Sequence, residues 1–328
     1  MRYRLAAACL TFSLASVQSV IAEPSVQELA ARTEVRPIET LTLTDQQFLT
    51  GDKSAAKAVV IAGELRLPQG ASGRLPAVVL MHGSGGAGPR EEFWSKTFNE
   101  MGIASFLVDS FSGRGLTSVS ANQAMLGRFN MIVDAYRAHA TLSAHARIDR
   151  SRIALMGFSR GGQTALYASL KRFHQAWDPE VAFAAYIPLY ASCNTALIGD
   201  TDVSAVPIRM FHGMADDYVP VAPCRAYVER LRRAGNDVGL TEFADAHHAY
   251  DNPLGGRTPV VATNAQSVRA CALKEEPAGA IVNAETGLAF SYKDPCVALN
   301  PHTGYNEAAA QATRVAVKDL LRTVFKLN

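Results

Sequence analysis

The sequence predicts an α/β fold in which one mostly parallel central sheet has helices on both faces. Between residues 76 and 243, continuous apolar runs of strand length alternate with segments of helical periodicity. Strands that are apolar throughout are typical of a sheet buried on both faces. Strands that alternate with helices favour parallel pairing and right-handed crossovers. The length of 328 residues is sufficient for one large domain of this kind.

The individual elements follow from this pattern in chain order. Two strand-like runs, Ile38–Thr44 and Ala58–Leu67, come first, and we expect them to pair antiparallel at the start of the sheet. Further strands are predicted at Pro76–Met81, Ile103–Val108, Arg152–Met156, Val181–Leu189, Pro207–Phe211 and Val238–Phe243. Helices are predicted at Ser25–Arg32, Glu91–Met101, Ala121–Ala144, Gly161–Lys171, Val221–Arg233 and Glu307–Phe325.

The N-terminus has the pattern of a secretory signal peptide. Arg2 and Arg4 precede a mostly apolar stretch, Leu5–Val17, and small residues stand at the −3 and −1 positions of a cleavage site after Ala22. The stretch is shorter than the roughly 20 residues that a membrane-spanning helix needs, although an uncleaved anchor is the alternative interpretation. We expect a mature single domain over residues 23–328 in the periplasm or outside the cell.

Charge and cysteine content narrow the class of protein. Lys and Arg total 32 and Asp and Glu total 30, with no basic run, so we expect no nucleic-acid partner. Four cysteines remain after residue 22, and an even number in an exported chain predicts two disulfides. Three pairings are open, and proximity along the chain favours Cys193 with Cys224 and Cys271 with Cys296.

One segment, Asn252–Gly304, separates the last predicted strand from the last predicted helix and shows little periodicity. A structureless loop of this length is uncommon inside a compact domain. Because Cys271 and Cys296 lie within it, we interpret it as a disulfide-stapled excursion that is placed to cover the mouth of an active site.

A nucleophile is predicted at Ser159. The run Gly157-Phe158-Ser159-Arg160-Gly161 matches G-x-S-x-G between a predicted strand and a predicted helix, which is the context of a nucleophile elbow. The turn requires small flanking residues, and the following helix N-terminus favours negative charge that develops at the serine. A glycine-rich turn with a capping serine is the alternative for this run.

A serine hydroxyl needs a base to take its proton and a carboxylate to orient that base. In this arrangement the chain order is Ser, acid, His. Asp216 follows the strand Pro207–Phe211 and is the predicted acid, with Asp217 as the fallback. His248 follows the last predicted strand and is the predicted base, in preference to the adjacent His247.

Acyl transfer also needs hydrogen-bond donors for the oxyanion of the tetrahedral intermediate. One predicted donor is the backbone N–H of Arg160, directly after the nucleophile. The other is predicted in the glycine-rich loop after Pro76–Met81, at Ser84 or alternatively at Gly85. We expect no metal and no organic cofactor, since adjacent histidines do not have the spacing that places two ligands on one metal.

Together these motifs resemble the dienelactone hydrolase family of α/β-hydrolases. The resemblance rests on VLMHGSGG, VDSFSGRG, GFSRGG, HGMADDYVP and HHAYDN in that order, and it covers about Leu75 to Asn252 plus the closing helix. It implies the α/β-hydrolase fold and supports Asp216 and His248 as acid and base.

The sequence also departs from the pattern of that family. The founding enzymes have Cys where this chain has Ser159, and a carboxylate where it has Gly83. In the VDSFSGRG loop, Asp109 and Arg114 are expected to be structural or to face the substrate.

The sequence therefore predicts a serine hydrolase that cleaves carboxylic esters or lactones of small or medium size through an acyl-enzyme. A peptidase, a lipase or an acyltransferase would use the same triad, because the shape of the pocket separates them. A non-catalytic binding protein on the same fold is a hypothesis from another class. We expect no stable membrane insertion, and no feature of the sequence indicates an oligomeric state.

Overall fold

An eight-stranded sheet forms the centre of the protein in a computed structural model that describes residues 32–327. The strands are β1 (Arg32–Thr42), β2 (Lys57–Leu67), β3 (Leu75–Met81), β4 (Ala104–Asp109), β5 (Ile148–Phe158), β6 (Tyr186–Leu189), β7 (Ile208–Gly213) and β8 (Val238–Phe243). Their spatial order is β1-β2-β4-β3-β5-β6-β7-β8. β2 is antiparallel to both of its neighbours, and the other neighbours pair in parallel. The predicted mostly parallel sheet with antiparallel first strands is confirmed.

Helices cover both faces of this sheet. Within the described residues they are α1 (Asp45–Thr50), α2 (Pro89–Asn99), α3 (Asn130–Ser143), α4 (Arg160–Tyr167), α5 (Lys171–Trp177), α6 (Ala222–Arg233) and α7 (Glu307–Phe325). Side chains of β3 alternate between two core clusters. Val78 and Leu80 pack in the cluster that contains Trp94 of α2, while Val79 packs in the one that contains Tyr136 of α3. The predicted arrangement with helices on both faces is therefore confirmed.

Two predicted features fall on the N-terminal part of the chain. The signal peptide, residues 1–22, and the helix Ser25–Arg32 lie outside the described residues, except that Arg32 begins β1. Among residues 32–327, no helix combines the length and the apolar character that crossing a membrane requires.

The predicted helix Ala121–Ala144 is wrong over its first nine residues, because the helix itself spans only Asn130–Ser143. The cause is a tertiary contact. The carboxylate of Asp45 accepts hydrogen bonds from the backbone N–H groups of Arg128 and Phe129, which caps the helix from a distant part of the chain. The residues before this cap form a loop that contains one short 3-10 helix, Gln123–Met125.

Several other boundaries differ from the prediction. β1 begins at Arg32 and β5 at Ile148, earlier than predicted. The predicted helix Gly161–Lys171 is divided into α4 and α5, since the carbonyl of Ser169 accepts from the N–H of Ser204 instead of continuing the helix. The predicted strand Val181–Leu189 begins later, at Tyr186. The short helix α1 was not predicted.

Segment 252–304 contains short antiparallel pairings. Val260–Val261 pairs with His302–Thr303, and Gln266–Ser267 pairs with Ala298–Leu299. A hairpin joins Leu273–Glu276 to Ala280–Asn283. Strands of two to four residues produce no detectable sequence period, which explains the absence of a pattern there.

Two disulfides are present, Cys193–Cys224 and Cys271–Cys296. Of the three pairings that the sequence left open, this is the one that proximity favoured. The second bond closes a loop of segment 252–304 that contains the hairpin, from just before Leu273 to just before Ala298.

We predict that replacing both Cys271 and Cys296 by Ser lowers the free energy of unfolding by about 3 kcal/mol. The two residues are 25 apart in sequence, and losing a cross-link of that span restores entropy to the unfolded chain. Urea unfolding of the oxidised wild type and of the variant measures the difference. The Cys193–Cys224 pair, 31 residues apart, provides a comparison that should lose a similar amount. A loss below about 1 kcal/mol would contradict the predicted constraint.

Candidate active site

Three loops bring the predicted site residues together at one edge of the sheet. Ser159 directly follows β5, Asp216 lies in the loop after β7, and His248 lies in the loop after β8. These strands are parallel, so their carboxyl ends meet at the same edge. Side chains that are distant in sequence therefore become neighbours.

Ser159, His248 and Asp216 form a continuous line of hydrogen bonds. Nε2 of His248 lies 2.8 Å from Oγ of Ser159, and its Nδ1 lies 2.8 Å from Oδ2 of Asp216. Both the acid and the imidazole are buried. An ionised carboxylate can only accept, so the neutral imidazole carries its proton on Nδ1 and offers Nε2 to the serine hydroxyl.

The carboxylate of Asp216 is fixed by its own loop. Its Oδ1 accepts hydrogen bonds from the N–H groups of Tyr218 and Val219 at 2.9 and 2.7 Å. Burial acts to raise the pKa of Asp216, but the charge and hydrogen bond of His248, with His212 3.6 Å away, outweigh burial and hold the pKa well below its ordinary value. Asp216 is therefore ionised at neutral pH and can stabilise a positive imidazolium.

Asp217, the fallback acid, contacts a different part of the chain. Its carboxylate accepts from the backbone N–H and from Nδ1 of His302, both at 2.8 Å, and pairs with Arg269 at 3.4 Å. Burial acts to raise the pKa of Asp217, but these partners lower it overall. Asp217 thus ties the loop after β7 to segment 252–304, and it is Asp216 that lies against His248.

The backbone at Ser159 is strained, as a nucleophile elbow requires. Its φ of 56° and ψ of −111° lie in a region that residues with side chains rarely adopt. The neighbouring glycines permit this turn, because a Cβ at Gly157 would overlap the carbonyl oxygen of Gly161. A Cβ at Gly161 would in turn overlap the carbonyl oxygen of Met81. The G-x-S-x-G pattern is thus required by close backbone packing.

The two predicted oxyanion donors lie on either side of the nucleophile. Arg160 follows Ser159 directly, and a Cβ at Gly83, just before Ser84, would stand 3.4 Å from the Ser159 Cβ. Within residues 32–327, the N–H groups of Ser84 and Arg160 donate to no protein acceptor. Glycine at position 83 thus lets the backbone of this loop pass close to the nucleophile.

Two tyrosines flank the imidazole, and sequence reasoning did not identify them. The ring centroids of Tyr190 and Tyr218 lie 4.8 and 4.6 Å from that of His248. Tyr190 donates to Asp251 at 2.7 Å, and Trp94 donates to the other oxygen of that carboxylate at 2.8 Å. The only sequence signal for this network is Asp251 in the HHAYDN motif. The network restrains the ring position of His248.

Asp109 and Arg114 are structural. Asp109 accepts hydrogen bonds from the N–H groups of Phe111 and Ser112, which closes the turn after β4. The Arg114 guanidinium forms a buried pair with Asp134 at 2.8 Å. Neither of these residues lines the cavity at the nucleophile.

A small cavity, partly open to solvent, lies over Ser159. Ser84 and Tyr218 line one part of it, and Gln266, Val268 and Tyr292 of segment 252–304 line another. The segment therefore forms part of the cavity wall. Throughout the described part of the chain, no three or more His, Cys, Asp or Glu side chains are grouped as ligands for a metal ion.

We predict that Gly161→Ala lowers the free energy of unfolding by about 1–3 kcal/mol, because the added methyl group forces β3 and α4 apart. Chemical unfolding of the purified variant measures the loss. Gly85→Ala is the matched control, since Gly85 is exposed and its Cβ would have no neighbour within 4 Å. Equal stability of the two variants would contradict the packing requirement at Gly161.

Comparison with known proteins gives a match to one family model. Residues 120–254 match the phospholipase/carboxylesterase family, which is less than half of the chain. The matched part contains Ser159, Asp216 and His248.

Solved structures with a similar architecture cover nearly the whole chain. One is a dienelactone hydrolase-like promiscuous phosphotriesterase from metagenomic libraries, 18% identical with a TM-score of 0.57, where the match covers 89% of this chain and 98% of that one. Another is a proposed dienelactone hydrolase from Klebsiella pneumoniae subsp. pneumoniae, 13% identical with a TM-score of 0.54, covering 88% and 98%. Identities this low establish a likeness of fold. The chain therefore has the α/β-hydrolase fold that its motifs predicted, with an architecture similar to that of dienelactone hydrolase-like proteins.

Proposed function

We propose that the protein is a serine hydrolase that cleaves carboxylic esters of small molecules. The observation that carries this proposal is the hydrogen-bonded line from Ser159 through His248 to Asp216, with 2.8 Å at each step. Those distances are within the reach that proton transfer between a nucleophile and its base requires. The match of residues 120–254 to the phospholipase/carboxylesterase family supports an ester as the bond cleaved.

In the acylation step, Oγ of Ser159 attacks the ester carbonyl carbon while its proton moves to Nε2 of His248. Asp216 holds the imidazole in the useful tautomer and stabilises the imidazolium. As the tetrahedral intermediate collapses, the bond to the alcohol oxygen breaks and Nε2 returns the proton to that oxygen.

Deacylation repeats these steps with water as the nucleophile. Water attacks the acyl carbon while His248 takes a proton from that water. The proton then passes to Oγ of Ser159 as the carboxylic acid leaves. In both steps the N–H groups of Ser84 and Arg160 are the proposed oxyanion donors. Loss of one such donor costs about 3–4 kcal/mol in enzymes where it has been removed.

We further propose that the mature protein is a single exported domain over residues 23–328, formed when residues 1–22 are removed. Two disulfides support an oxidising compartment, since such bonds are rare in the cytosol. In this proposal segment 252–304 is a stapled excursion that covers the cavity and limits the size of the ester that enters.

Labelling with a fluorophosphonate followed by intact-mass measurement tests the proposed nucleophile. We expect one adduct on the wild type, at Ser159, and none on Ser159→Ala. Hydrolysis of p-nitrophenyl acetate should fall at least about 10³-fold in the variant, because the residual activity comes from binding and the oxyanion donors alone. A wild type that is not labelled, or a variant that still is, would overturn the proposal.

Asp216→Asn and Asp217→Asn form a matched pair of adjacent substitutions. We expect Asp216→Asn to lower kcat by about 10³- to 10⁴-fold, because an amide no longer fixes the Nδ1–H tautomer of His248. Asp217→Asn should lower kcat less than about tenfold, since Asp217 bonds to His302 and Arg269. Steady-state kinetics on the same ester measures both, and equal losses would refute the assignment of the acid.

A further inference from the structure

Gln123 bonds to both parts of the proposed oxyanion hole. Its Oε1 accepts a hydrogen bond from Oγ of Ser84 at 3.0 Å and another from Nη1 of Arg160 at 2.8 Å. Guanidinium nitrogens can only donate, so the atom that faces Arg160 is the amide oxygen. Ser84 lies in the loop after β3 and Arg160 begins α4. One oxygen atom therefore joins two elements that are otherwise separate in the chain.

Gln123 is itself held in a fixed position. It is 8% exposed and begins a one-turn 3-10 helix, Gln123–Met125, in the connection between β4 and α3. Its backbone N–H donates to Oε1 of Gln266 at 2.8 Å, and the N–H of Gln266 donates to the carbonyl of Ser120 at 2.9 Å. Gln266 belongs to segment 252–304, so a part of the chain that lines the cavity also fixes this loop.

The same loop holds both donor residues at further points. The N–H of Val119 donates to the carbonyl of Ser84 at 2.8 Å. The guanidinium of Arg160 donates to the carbonyls of Leu126 and Gly127. These contacts hold the carbonyl of Ser84 and the side chain of Arg160, and the side chain of Gln123 connects the two residues.

We propose that Gln123 is a positioning residue that sets the distance between the N–H groups of Ser84 and Arg160, and thereby how strongly the site binds an oxyanion. Gln123 acts through these two residues and not on the reacting atoms. The amide oxygen of Gln123 has two lone pairs and can accept from both donors. A buried donor that loses its acceptor costs free energy, so both bonds are kept and the distance between Ser84 and Arg160 is fixed. Oxyanion donors depend on such preorganisation, because misplacement by about 1 Å costs about 10²-fold.

The inference rests on the proposed function, and kinetics of two Gln123 variants tests it. Gln123→Met keeps the length of the side chain without an acceptor, whereas Gln123→Glu keeps an acceptor oxygen. The readouts are kcat and KM for p-nitrophenyl acetate, and the inhibition constant of an alkyl boronic acid, which forms a tetrahedral anion on a serine. We expect Gln123→Met to lower kcat and boronate affinity by about 10- to 100-fold with KM within about twofold, and Gln123→Glu to recover most of both.

Asn99→Leu is the control for a general loss of side-chain hydrogen bonds that are at least partly buried. The Asn99 amide donates to the carbonyls of Arg66 and Ile103 at 3.2 and 2.9 Å, far from the site. This variant should lower Tm while it keeps kcat and boronate affinity within about twofold. If Gln123→Met does not fold, Ser84→Ala removes the same hydroxyl–amide bond from the other side and keeps the backbone donor, and we expect the same division between kcat and KM.

Unchanged kcat and boronate affinity in Gln123→Met, or equal losses in Asn99→Leu, would overturn the inference. This failure is distinguishable from failure of the proposed function. If only the inference about Gln123 fails, the wild type still hydrolyses the ester and its activity depends on Ser159. If the proposed function fails, the wild type shows no hydrolysis that depends on Ser159.

Discussion

The hydrogen bond between His248 and Ser159 is the interaction on which the rest of the site depends, and it exists because parallel strands end at one edge. The two residues are 89 positions apart, and His248 and Asp216 are 32 apart. Parallel pairing from β5 to β8 converts these separations into contacts of 2.8 Å. The antiparallel strands β1 and β2 lie at one lateral end of the sheet, beyond β4, and contribute none of these three residues. The order and direction of the strands, more than the sequence around any one residue, therefore bring the site residues together.

Burial determines which hydrogen-bond partners and which charge the polar groups at this edge of the sheet can have. Asp216 and His248 are almost completely shielded from water, so each must have its partners within the protein. Two backbone donors and the imidazole satisfy the carboxylate, which keeps it charged in a place where burial opposes charge. Segment 252–304 forms part of the cavity wall. Its bonds to Asp217 and Gln123 fix it to the loop that carries Asp216 and to the connection that contacts Ser84 and Arg160.

Most of the fold and the geometry of the site could be predicted, because strand periodicity and the Gly157–Gly161 run are local signals. The choice between Asp216 and Asp217 is different. The two side chains point in different directions because Asp217 bonds to His302, which is 85 residues further along the chain. Likewise, the cap that Asp45 provides for α3 is 83 residues from Arg128, so its effect on the helix start was not visible in the sequence. The predicted α-helix Ala121–Ala144 therefore included Gln123, and its contacts with Ser84 and Arg160 could not be seen from the sequence.

The most direct test of this account is a crystal structure of the protein after reaction with a fluorophosphonate. We expect a phosphorus atom bonded to Oγ of Ser159, with one phosphonyl oxygen about 2.7–3.1 Å from the backbone nitrogens of both Ser84 and Arg160. A phosphonyl oxygen directed away from these two nitrogens, or a covalent adduct at another residue, would contradict it.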